Sequence, residues 1–313
     1  MANITLRQLK YFEALARHGH FGRAAEACAV SQPALSVQIR DLEEDIGAQL
    51  FERGARQVRL TGLGERFADR VQDILRSVDE LEDLARASED KLIGRLRIGV
   101  IPTIAPYLLP RVIRALSETH RGIDIHVRET LTDRLIRELL DGRLDTAIVA
   151  LPISEPGLAE VALFDEAFML VRPGAEAGQP VPRAEDLARM RLLLLEEGHC
   201  FRDQALSFCN IRPAVPGDGL DGSSLSTLVQ MVGSGIGVTL IPEMAVPVET
   251  RSADVSVARF GKPEPSRTVG MIWRRSSPLA PQLQRIAEVV GRAGEEQKKA
   301  QAAADHSFSQ IDP

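Results

Sequence analysis

Apolar residues at Leu6, Leu9, Phe12 and Leu15 recur at the spacing of one helix face and stop at Gly19. Residues 21–27 follow as a short small-residue helix. Ser31 opens a third, where its side chain can cap the first turn and Pro33 is tolerated. Leu35, Ile39, Leu42 and Ile46 give that helix a buried side before Gly47 ends it, leaving Gln32, Ser36, Gln38 and Arg40 on the other. Residues 50–53 and 58–60 read as short strands, a hairpin or wing with Arg53 and Arg56 near its tip. From Thr61 to about Lys91, Phe67, Val71, Ile74, Val78, Leu81 and Leu84 recur every three or four residues. They predict a single long helix whose uncovered seam suits a dimer.

Beyond that helix, strands alternate with helices. Residues 96–100, 123–128, 146–151, 168–171, 192–195, 238–241 and 268–273 read as strands, and 108–119, 133–141, 224–233 and 281–290 as helices. This predicts an α/β domain with a largely parallel sheet. Chain crossings near 163 and 267 divide it into lobe I (92–163 and 268–293) and lobe II (164–267), with a cleft between them. The expected domains are thus a winged helix-turn-helix over 1–60, a linker helix over 61–91 and a two-lobed regulatory domain over 92–293. The polar, alanine-rich residues 294–313 read as a disordered tail.

With 313 residues, 44% of them hydrophobic, the chain can build a core in each part. No stretch approaches the roughly 20 apolar residues that span a bilayer, so a cytoplasmic location without a membrane partner is expected. The net charge of −6 argues against wholesale coating of nucleic acid but leaves room for a local basic surface.

Cys28, Cys200 and Cys209 are too few for a secreted disulfide framework, and a reducing compartment would keep any bridge transient. Cys200 lies between His199 and Arg202, and cationic neighbours favour the thiolate, which is the nucleophile. Cys209 has no flanking charge and reads as the slower partner. The plain alternative is that both are buried small hydrophobes, as Cys28 among its alanines is expected to be. A second close ligand pair is missing, so no metal site is expected, nor any cofactor.

The small residues Ala24, Ala25 and Ala27 let two helices cross closely, and the third helix then projects Gln32, Pro33 and Ser36 from its N-terminal end. That end enters a major groove in helix-turn-helix proteins, where such side chains read base edges while Arg53 and Arg56 meet phosphate or minor groove. A helical protein-interaction module would show the same polar faces, but not a wing and a dimer helix in succession.

Over nearly its full length the chain resembles the LysR-type transcriptional regulators, through Leu6-Arg7-Gln8-Leu9, Phe21, Ala24-Ala25, Ser31 to Ser36, Leu42-Glu43, Gly47, Leu50 to Arg53 and Leu60-Thr61. Within that family it looks like the hydrogen-peroxide sensors. That narrower likeness rests on Ile101-Pro102-Thr103, Pro106 to Pro110, Gly198-His199-Cys200 with Arg202-Asp203-Gln204, Cys209, and Glu264 to Thr268. The resemblance implies a two-lobed fold like that of periplasmic binding proteins, a peroxidatic Cys200 and a disulfide partner in Cys209. It also implies a peroxide pocket with Thr103, Thr132, His199, Arg202 and Asp203. The implied assembly is a homotetramer, a dimer of dimers on promoter DNA, with RNA polymerase and a cytosolic thiol reductant as further partners. Two other functions fit the residues: a regulator whose lobe cleft takes a small metabolite, and a thiol peroxidase enzyme.

Overall fold

The structure is a computed structural model, and it describes residues 4–53, 58–87, 94–187, 189–209 and 221–308. The chain divides into two compact units, residues 1–85 and 86–313.

In the first unit, α1 (Leu6–His18) begins with a capping box. Thr5 Oγ1 accepts the Gln8 N–H, and Gln8 Oε1 accepts the Thr5 N–H at 2.9 Å. Helix α2 (Phe21–Ala27) starts at His20, whose Nδ1 accepts the Gly22 N–H. Helix α3 (Gln32–Ile46) starts at Ser31, which accepts the Ala34 N–H, and stops at Gly47 in the left-handed conformation. Leu9, Phe12, Leu15, Ala24, Ala25, Leu35, Ile39 and Leu42 are buried together. Each large side chain among them stabilises the module by about 1.5–3 kcal/mol relative to exposure. The strands β1 (Phe51–Arg53) and β2 (Val58–Leu60) pair antiparallel, and the buried Glu43 carboxylate accepts the N–H groups of Leu50 (2.8 Å) and Phe51 (3.1 Å), fixing the hairpin to α3. The hairpin tip at 54–57, with Arg56, lies outside the described residues. Helix α4 (Gly62–Ala87) follows; Val71 is buried, while Ile74, Leu81 and Leu84 are exposed in the single chain.

The second unit runs β3 (Gly94–Val100), α5 (Ala105–Thr119), β4 (Ile123–Glu129), α6 (Thr132–Leu140), β5 (Thr146–Leu151), β6 (Leu158–Pro173), α7 (Ala184–Leu187), β7 (Leu192–Leu195), α8 (Cys200–Phe208), β8 (Asp221–Gly222), α9 (Leu225–Gly233), β9 (Val238–Pro242), α10 (Val246–Glu249), β10 (Val255–Arg259), β11 (Ser266–Arg274) and α11 (Ala280–Phe308). The strands follow one path, β4-β3-β5-β11-β6-β9-β7-β8, with β10 beside β6. The long β6 belongs to two lobes. Residues 158–167 pair with β11, and Phe168 to Val171 pair with β9. The return crossing is at the start of β11.

The expectation of a largely parallel sheet is corrected. β3 runs parallel to β4 and β5, and β7 parallel to β8 and β9, but β11 pairs antiparallel with β5 and β6, and β6 antiparallel with β9 and β10. The two crossing strands return against their neighbours and reverse the direction at the centre. Strand β10 was not expected from the sequence.

The expected disordered tail over 294–313 is corrected only as far as Phe308, where α11 ends; residues 309–313 lie outside the described residues. Alanine, glutamate, glutamine and lysine are strong helix formers. Gly294 lies where any Cβ would overlap the Phe164 ring, and beyond it Lys298 Nζ donates to the Asp165 carbonyl (2.8 Å) and Gln301 Nε2 to that of Glu243 (3.0 Å).

Candidate functional site

Cys200 is the first residue of α8 and Cys209 its C-cap, and both thiols are free. Cys200 is partly exposed. Cys209 is 1% exposed within the core, and burial pushes its thiol up to about 11. Nine residues of helix span about 13.5 Å, and nine steps of about 100° put the two side chains on opposite faces.

The chain entering α8 turns at Gly198 with φ +93, which favours glycine, and a Cβ there would press on Leu131 at 3.1 Å. The start of α6 thereby sits beside the start of α8. His199 and Leu131 line one cleft of about 390 Å³ together with Thr103, Tyr107, Ser226 and Glu249. Across it, Tyr107 donates to Glu249 Oε1 at 2.6 Å and Ser226 to Glu249 Oε2 at 2.5 Å. Burial and that carboxylate push the Tyr107 hydroxyl well up.

Thr132, directly after Leu131, is 9% exposed, and its Oγ1 has no partner among the described residues. Thr103 Oγ1 is instead occupied, accepting from Arg267 Nη1 at 2.8 Å.

The expected cationic flank of Cys200 is not what the structure shows. Arg202 donates to the Leu195 carbonyl at 2.7 Å and pairs with Asp221 at 2.9 Å, so its charge is neutralised away from the thiol. Burial lowers the pKa of His199, with Glu196 opposing in part, which disfavours the charged ring. Asp203 is exposed. Successive helical residues are turned by about 100° each, so Arg202, two positions on, faces away from Cys200, while Asp203, three positions on, stays on its side. Cys200 opens α8, and the Arg202 N–H behind it is closed onto the His199 carbonyl at 2.9 Å.

Two residues at the site carry no role in the sequence beyond their place in the motifs of the resemblance. Gln204 lies one turn beyond Cys200 on the same side of α8, and its Oε1 is buried without a partner among the described residues. Arg267 is buried on β11, pairs with Glu166 at 2.8 Å, and lies 5.5 Å from the centroid of the Phe201 ring. Its sequence signals are its place in the Glu264 to Thr268 motif and an arginine at an inward strand position. Its partners are 101 and 164 residues away.

In the first unit, Gln32, Pro33 and Arg40 are exposed on α3 and Ser36 is partly exposed. Gln38 donates to Asp41 at 3.3 Å. Arg53 closes β1. Among the described residues no group of His, Cys, Asp and Glu is arranged to hold a metal, and no helix is long and apolar enough to cross a membrane.

A helix-turn-helix followed by a two-lobed domain defines a class of bacterial regulators, and comparison with known proteins bears this out. Residues 6–65 match the bacterial regulatory helix-turn-helix protein, lysR family, and residues 89–295 the LysR substrate binding domain. The chain belongs to the LysR family. It is 42% identical over 291 residues to the DNA-binding transcriptional dual regulator OxyR of Escherichia coli strain K12, covering 92% of this chain and 95% of that protein. It is also 42% identical over 294 residues to a probable hydrogen peroxide-inducible genes activator of Streptomyces viridosporus, covering 92% and 94%. Among solved structures, a cysteine-to-aspartate variant of full-length OxyR from Pseudomonas aeruginosa matches with TM-score 0.73 and 37% identity, covering 93% of this chain and 95% of that one. A peroxide-bound cysteine-to-serine variant of OxyR from Corynebacterium glutamicum matches with TM-score 0.66 and 34% identity, covering 96% of each.

Proposed function

We propose that this protein is a DNA-binding transcriptional regulator that senses hydrogen peroxide through a reversible Cys200–Cys209 disulfide and controls peroxide-defence genes. The observation that carries it is the pair of free cysteines at the two ends of one short helix, the first partly exposed and the second buried. The Cys200 thiolate attacks one peroxide oxygen and the O–O bond breaks; the departing hydroxide takes a proton and leaves as water, giving a sulfenic acid at Cys200. Cys209 sulfur then displaces the sulfenic hydroxyl as a second water. Two thiols and one peroxide become one disulfide and two waters.

Thr103 and the unpartnered Thr132 hydroxyl hold the peroxide, and His199, Arg202 and Asp203 support the pocket around it. A disulfide needs Cα atoms within about 7 Å, so α8 must unwind for the bond to form. That rearrangement is the switch, and a cytosolic thiol reductant resets it. The two lobes, 92–163 with 268–293 and 164–267, are arranged like a periplasmic binding protein. The hairpin acts as a wing carrying Arg53 and Arg56, while Gln32, Pro33 and Ser36, flanked by Gln38 and Arg40, meet the major groove. The exposed seam of α4 pairs with a second copy, and two such dimers form the tetramer that meets promoter DNA and RNA polymerase in the cytoplasm.

The test is footprinting on a peroxide-defence promoter with reduced and peroxide-treated protein. A changed footprint is expected with wild type and an unchanged one with Cys200→Ser; identical wild-type footprints would contradict the reading. The cleft of about 390 Å³, lined by hydroxyls and Glu249, favours one alternative, a small-metabolite effector. A Cys200→Ser protein that still responds in cells would establish it. Sustained peroxide turnover with a reductant would instead mark a thiol peroxidase.

A further inference from the structure

Where β6 and β11 cross between the lobes, Glu166 stands opposite Arg267 in register, and their side chains form a buried ion pair at 2.8 Å. From that point Arg267 reaches into the first lobe, donating to Thr103 Oγ1 at 2.8 Å and to the Thr103 carbonyl at 3.0 Å. Glu166 reaches into the second, where Oε1 accepts the Met244 N–H at 2.9 Å. One ion pair thus ties both lobes at their crossing. Such a pair keeps its strength only while water is excluded and its other polar atoms are satisfied. The ring of Phe201 packs over the Arg267 guanidinium. Its centroid is 5.5 Å from Arg267 Cζ and 4.8 Å from the Phe168 ring, and Phe168 is the residue at which β6 passes to its second-lobe partner β9. Phe201 is also the neighbour of Cys200.

We propose that Phe201 carries the redox state of α8 to the lobe crossing. It rests on the disulfide reading above: hydrogen peroxide oxidises Cys200 to the sulfenic acid, Cys209 displaces its hydroxyl as water, and α8 unwinds to allow the bond. The Phe201 ring then leaves the guanidinium, water reaches the Glu166–Arg267 pair, and the lobes loosen at β6 and β11. Phe201 is a link, not a catalytic residue.

The test is amide hydrogen exchange over residues 164–168 and 266–269 of the full-length chain, reduced and after stoichiometric hydrogen peroxide, with disulfide formation counted separately by intact mass after alkylation. In wild type, oxidation is expected to speed exchange at both strands by roughly 10-fold or more, the size of a local opening becoming easier. Phe201→Leu, apolar but without the ring, is expected to exchange fast already when reduced and to gain little on oxidation, while Phe201→Tyr keeps the wild-type response. Unchanged exchange in wild type despite complete disulfide overturns the proposal, as does a Phe201→Leu protein that behaves as wild type or a Phe201→Tyr protein that behaves as Phe201→Leu. If peroxide forms no disulfide, the sensing reading fails and this link fails with it. Should Phe201→Leu not fold, the wild-type comparison decides alone.

Discussion

Cys200 and Cys209 occupy one helix and meet opposite surroundings. Cys200 stands at the start of α8, partly exposed, one turn from the buried Gln204 carbonyl. Cys209 is sealed in the core at the other end, with its thiol pushed up to about 11 by burial. Flanking charge suggests the same order of reactivity but for a different reason. Arg202 is spent on Asp221 and the Leu195 carbonyl, and burial disfavours the charged form of His199. The asymmetry between the two thiols is therefore set by depth and helix position rather than by adjacent cations.

The largest expected effect comes from removing either sulfur. Cys200→Ser is expected to lose peroxide consumption almost completely, whereas Cys209→Ser is expected to consume one equivalent and accumulate a sulfenic acid at Cys200, read by dimedone trapping and mass. Equal consumption by the two variants would erase the asymmetry. Next, alkylation of the reduced folded chain at pH 8 is expected to label Cys200 first. With its thiol near 11, Cys209 offers about 100-fold less thiolate than an ordinary cysteine, and slower labelling in proportion is expected. Comparable labelling rates would show that Cys209 is not sealed.

A smaller effect sharpens the comparison at the Cys209 end. Phe208 packs edge-on against Phe260 at 5.2 Å, and such a pair contributes about 0.5–1.5 kcal/mol. Phe208→Leu is expected to leave sulfenic acid formation unchanged and to speed disulfide closure by roughly 2- to 10-fold, followed by stopped flow. At the Cys200 end, Arg202→Gln is expected to weaken folding yet alter the rate of sulfenic acid formation by less than about 3-fold, because its charge is already neutralised by a partly exposed partner. A large fall would restore the flanking-charge explanation. The smallest effect is in pH. The folded pKa of His199 lies below its unfolded value, so the unfolded chain binds the extra proton first. Its contribution to stability is present above about pH 6.5 and is lost as pH falls below it, the smallest effect of the set, read from urea midpoints of wild type and His199→Gln.

The first unit was readable almost residue by residue because its signals are local. Thr5, Ser31, Gly19 and Gly47 mark helix ends within a turn of themselves, and the stripes through Leu9, Phe12, Leu35 and Ile39 declare their buried sides. The second unit hides what depends on distant partners. Only residues 168–171 of β6 read as a strand, since Glu160, Asp165 and Glu166 interrupt its apolar run; those carboxylates bond Ser154, Thr268 and Arg267. Strand direction at the crossings has no local signature. The C-terminal part of α11 looked too polar to order, but its alanines favour helix and Lys298 and Gln301 find carbonyls on β6 and beside β9. At the site, the cysteines were visible as an unusual pair, whereas Arg267 and Gln204 gained meaning only from what surrounds them in space.

The central claim is that the two cysteines are held apart by an intact α8 and can join only by unwinding it. Amide hydrogen exchange across residues 201–209, in the reduced protein and after complete oxidation by peroxide, tests it most directly. Protection through the helix in the reduced state and its loss on oxidation, by about 10-fold or more, is the expected result. A fully formed Cys200–Cys209 disulfide with the same protection in both states would contradict it.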